Sequence, residues 1–168
     1  TPCRPPYLAD LQETTPDVMV DIDMGAANLK VNRVSYKWNG NPADPEAVIS
    51  NLVREGQVAE ANLGGTQAHP LHTHVNHMQL QSLDGLDQDV SGSWHQLGDW
   101  LDTIKGGKGL KVRFIAKDFG GKMVMHCHIS GHSDGGALAW LDLGEGGNDG
   151  SSLLPTSCSG SSSWCSCA

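Results

Sequence analysis

The sequence predicts an all-β fold, an antiparallel β-sandwich, on three observations. Apolar and polar residues alternate at a period of two, as in Val18, Val20, Ile22 and Met24, or Leu110, Val112, Phe114 and Ala116. Glycine occupies 21 of the 168 positions and charged residues only 18%, a balance that favours short strands and turns over long charged helices. Helical periodicity is nearly absent. A hydrophobic share of 38%, before glycine is counted, excludes wholesale disorder and suffices for one well-buried domain.

The elements follow in order. Residues 1–17 carry four of the eight prolines and read as a linker arm rather than a core element. Val18–Met24 is the first strand, and a second run from Leu29 to Trp38 ends at the turn dipeptide Asn39-Gly40. Pro45–Arg54 reads as a short helix with Asp44 as its N-cap. Strands are then expected at 57–63, 75–83, 110–117, 122–127 and 137–143. A domain over 18–143 is followed by 144–168, where 13 of 25 residues are Gly or Ser, read as a flexible tail with late cysteines.

Charge and hydropathy exclude some partners. A net charge of −8 argues against nucleic acid. No apolar run approaches the length of about 20 residues that a membrane-spanning helix needs.

The chemistry concentrates in the histidines. All eight lie between positions 69 and 132, and six form two groups, His69-Pro-Leu-His72-Thr-His74 and His126-Cys127-His128 followed by His132. On a strand, residues 126 and 128 face one way and Cys127 the other, which makes a single tetrahedral zinc site awkward. Two sites back to back fit better. On one face Cys127 needs two imidazoles to complete a trigonal His₂Cys site of the blue-copper kind, and His69 and His132 can supply them. On the other face His126 and His128 would meet His72 and His74. Such donors suit copper, not calcium or magnesium.

HPLHTH (69–74) and HCHISGHSDGGAL (126–138) resemble two copper-binding motifs of the multicopper oxidase family, the laccases, ascorbate oxidases and ferroxidases. PYLADL (6–11), GDWLDTI (98–104) and KDFGGKMVMHCH (117–128) resemble further segments of the family's last domain. The resemblance implies a cupredoxin-like Greek-key sandwich. It also implies that His69, Cys127 and His132 are type 1 copper ligands, His72 a type 2 ligand, and His74, His126 and His128 type 3 ligands. Cys127, His126 and His128 would carry the catalysis, since the Cys127 backbone leads directly to both histidines and covalently links a mononuclear to a polynuclear copper centre. The implied reaction couples one-electron oxidation of a small phenolic or metal-ion reductant to reduction of dioxygen to water.

Two departures from the family pattern stand out. Ten residues after Cys127, at the axial position, the chain has Ala137, which cannot ligate, so the reduction potential should rise. Moreover, the family's trinuclear cluster draws further histidines from two HxH motifs in another domain, and His77 and His95 form none. The chain is therefore expected to be a terminal domain or subunit, completed by the remaining cupredoxin domains or by a partner chain bearing two HxH motifs. Apart from Cys127, the remaining Cys3, Cys158, Cys165 and Cys167 allow two disulfides in three connectivities, or bonds to another chain. That favours a secreted or periplasmic setting. The alternative reading is a non-catalytic structural module of a secreted complex, crosslinked through its tail.

Overall fold

Residues 8–25, 28–38, 40, 48–86, 95–117 and 121–144 are described by a computed structural model of the chain. Among them twelve strands and one short helix form. The strands are β1 Val18–Met24, β2 Leu29–Val31, β3 Val34–Tyr36, β4 Val48–Arg54, β5 Val58–Gly64 and β6 Leu71–Thr73. They continue with β7 Met78–Leu80, β8 Trp100–Leu101, β9 Thr103–Ile104, β10 Leu110–Ile115, β11 Gly121–Cys127 and β12 Leu138–Gly144, while α1 is Ser130–Asp134. One sheet runs β3-β2-β1-β5-β10-β7-β8 and the other β4-β12-β11-β6-β9.

Alternation puts one row of each strand into a shared core. Val20, Ile22 and Met24 of β1, Ala61 and Leu63 of β5 and Val112 and Phe114 of β10 come from the first sheet. Met123 and Met125 of β11, Leu71 of β6 and Ala139 and Leu141 of β12 come from the second. Cys127 ends the inward row of β11 and is fully buried. No described helix is long and apolar enough to cross a membrane.

Several expectations are corrected. The sheets are mixed rather than purely antiparallel, because β1 pairs parallel with β5 and β4 parallel with β12. The expected helix over Pro45–Arg54 is instead strand β4 from residue 48 onward. Its buried Ile49 and Val53 are four residues apart, a spacing that shares one face of a helix or of a strand, and pairing with β12 decides for the strand. The run from Leu29 to Trp38 breaks into a hairpin at Asn32 and Arg33, whose φ values of 50° and 69° make the tight turn. The expected strand at 75–83 shrinks to β7, and β6, β8, β9 and α1 were not foreseen. Residues 1–7, Asn39, Asp44 to Ala47, the stretch 145–168 and all four remaining cysteines lie outside the described residues.

The arm is also more than a linker. Leu11 belongs to the core. Arg113 and Glu60, partners across β10 and β5, are joined by a 2.8 Å hydrogen bond from Arg113 Nε to Glu60 Oε2. Arg113 Nη1 then donates to the carbonyls of Leu11, Gln12 and Thr14 at 2.7, 2.7 and 2.8 Å. Buried Gln79 accepts from Leu11 N–H at 2.7 Å. A half-buried cation thus fastens the arm to the sheet, and removing it would strand the buried Glu60 without its main partner. Arg113→Met is expected to lower stability by about 3 kcal/mol in chemical denaturation. A loss below about 1 kcal/mol would mean the pair behaves like an exposed one.

Candidate metal centre

Two clusters of side chains able to hold a metal form on opposite faces of β11. The first is His69, Cys127 and His132. His69 stands just before β6, two residues ahead of Leu71. His132 comes from α1, which turns the chain back over the end of β11. The turn is tied down by Ala137 N–H donating to the His132 carbonyl and Cys127 N–H donating to the Ala137 carbonyl, each at 2.9 Å. Cys127 Sγ lies 3.9 Å from His69 Nδ1 and 3.7 Å from His132 Nδ1. The two Nδ1 atoms are 2.9 Å apart.

Two imidazole nitrogens and a buried free thiol, converging on one point, make a soft trigonal donor set. That set fits copper. Ala137 is fully buried, has no donor atom in its side chain, and uses both of its backbone polar groups in closing the turn.

The second cluster is His72, His74 and His126. His72 and His126 are register partners of β6 and β11, so pairing alone puts their rings side by side. His72 Nδ1 contacts the Asp102 carbonyl and Thr103 Oγ1, both at 2.9 Å, and His126 Nδ1 contacts the Cys127 carbonyl at 2.8 Å. A carbonyl only accepts, so both Nδ1 atoms carry the proton and both Nε2 atoms present lone pairs. Such carbonyl partners orient ligating histidines. His74 Nε2 lies 3.1 Å from His126 Nε2. Partial desolvation of the largely exposed ring, then the neighbouring His72 and His126, push the His74 pKa below the ordinary histidine value. His74 therefore stays neutral, the form that ligates, further into mild acid.

His128 stands apart from this trio. Its ring centroid is 5.3 Å from that of His72 and it stacks 6.3 Å from His126, but its donor does not join the other three. Its backbone N–H donates to the Pro70 carbonyl at 2.8 Å. The expected set of four convergent imidazoles is thus three with a fourth beside them, because His128 lies past the end of β11, where the pairing stops. His77 and His95 enter neither cluster. The role of the Asp102 carbonyl in orienting the His72 ring leaves no signal in the sequence, because any residue type can supply a backbone acceptor, and the Thr103 hydroxyl beside it is brought there only by the pairing of β9 with β6.

A sequence model of the family described as multicopper oxidase matches residues 9–145. No match was found among curated proteins. Among solved structures, a metallo-oxidase, the multicopper oxidase from Campylobacter jejuni, is 19% identical with a TM-score of 0.53; the alignment covers 80% of this chain and 31% of that one. A multi-copper oxidase from Pseudomonas thermotolerans is 18% identical with a TM-score of 0.51, covering 77% of this chain and 31% of that one. A laccase from Botrytis aclada is 20% identical with a TM-score of 0.50, covering 77% and 29%. At these identities the structures show a shared fold, and the chain spans about a third of the length of each relative.

Proposed function

The chain belongs to the multicopper oxidase family, and from that premise we propose that it is the terminal domain or a subunit of such an oxidase. In this reading His69, Cys127 and His132 hold a type 1 copper, and His72, His74, His126 and His128 supply half of the ligands of a trinuclear cluster. Copper, when bound, supplies one-electron redox chemistry that couples oxidation of a reductant to reduction of dioxygen to water.

The observation that carries the reading is the back-to-back arrangement of the two clusters across β11. Cys127 gives its thiol to one cluster while its carbonyl holds the His126 ring of the other. Burial of Cys127 keeps water from the thiolate, and the closed turn from Cys127 to Ala137 fixes His132 over it. His74 and His128 remain exposed on the opposite side, as ligands awaiting a partner's histidines would be. The occupant of that side is a domain or chain bearing two further HxH motifs. The reductant is a small phenol or a metal ion, and the setting is extracellular or periplasmic.

Copper titration of the isolated chain tests the first cluster. About one copper is expected to bind firmly with an intense blue thiolate band, and further copper only weakly. A chain that binds copper without the band, or takes up none, would overturn the assignment.

A further inference from the structure

Val75, directly after His74, has φ +69°, a left-handed conformation in which a β-branched residue is a true outlier. Both neighbours are pinned. The His74 N–H donates to the Val124 carbonyl at 2.9 Å, which fastens residue 74 to β11 two positions before His126. Asn76 is buried, with its side-chain amide donating to Met123 Sδ at 3.4 Å and its carbonyl accepting from Thr73 Oγ1 at 3.1 Å. The Asn76 N–H then donates to the His74 carbonyl at 2.9 Å, closing a three-residue γ-turn of the rarer, strained form, with its central residue at positive φ. The Val75 side chain is 51% exposed, so little packing offsets the strain. What the turn accomplishes is the approach of His74 to His126.

We propose that Val75 is a positioning residue whose strained backbone sets the metal affinity of the His72, His74 and His126 cluster. The inference rests on the reading of that cluster as a metal site. In the closed arrangement His74 faces His126 and Val75 is left-handed. In an open one Val75 relaxes to negative φ and His74 withdraws. A metal ion held by all three rings selects the closed arrangement, so the cost of closing subtracts from binding. Glycine takes positive φ without a steric penalty, whereas alanine keeps a Cβ and part of the cost. Valine is the most restrictive of the three. The His69, Cys127 and His132 cluster lies on the other face and does not share the turn.

The test uses the 168-residue chain, first given one equivalent of copper and then titrated with Co(II), whose visible absorption reports the second cluster. Val75→Gly is expected to tighten Co(II) binding about three- to tenfold, with Val75→Ala intermediate and the blue band unchanged. In the metal-free chain the same change should slow hydrogen exchange of the Asn76 amide by a similar factor, because the closed turn protects it. Faster or unchanged exchange overturns the proposal. Slower exchange with unaltered Co(II) affinity also overturns it, since the strain would then be structural alone. A chain that takes up no Co(II) in any variant overturns the metal reading of the cluster itself, whereas uptake indifferent to residue 75 overturns only the role of Val75.

Discussion

Cys127→Ser is expected to abolish the blue absorption of the copper-loaded chain and, in the complete oxidase, to abolish substrate oxidation. The effect is all-or-none because the thiolate is the soft donor that distinguishes the first cluster from a pair of imidazoles. A serine hydroxyl stays protonated at neutral pH and is a poor copper ligand. The fold should survive. Cys127 is fully buried, serine is slightly smaller, and burying a hydroxyl costs about 1–3 kcal/mol. Circular dichroism and thermal melts separate lost chemistry from lost structure. A well-folded Cys127→Ser chain that stays intensely blue would remove Cys127 from the centre.

Oxygen consumption gives the second large effect. The chain alone is expected to show none above background with any reductant. Its exposed His74 and His128 face outward, and among the described residues no further histidine completes their cluster. Supplying a segment with two HxH motifs, fused or as a separate chain, should raise copper to about four per complex and restore turnover. Copper analysis and oxygen-electrode traces on both preparations decide the matter. Sustained oxygen consumption by the purified single chain would refute the incomplete-cluster reading.

Much of the sandwich was legible because alternation is a local signal. β1, β5, β10, β11 and β12 each lie within a residue or two of where the period of two put them. The β4 segment was not legible, since Ile49 and Val53 satisfy helix and strand alike until a neighbouring strand claims their backbone. Nor were two-residue strands such as β8 and β9, which exist only through their partners in pairing.

The separation of Cys127 from His126 onto opposite faces of β11 was determined by the sequence itself, because adjacent side chains on a strand point in opposite directions. That separation already divides the candidate donors into two clusters. Tertiary structure alone decided which rings meet and how they are held. The register of β6 on β11 aligns His72 with His126, α1 carries His132 to the thiol, and the carbonyls of Asp102 and Cys127 choose the protonated ring nitrogens. It also decided that Val75 must turn left-handed and that His128 stands beside the trio rather than within it. Most of these features hang on backbone groups, local ones in the turns and distant ones in the pairing of β6 with β11, and any residue can supply such groups, so no residue type announces them in advance.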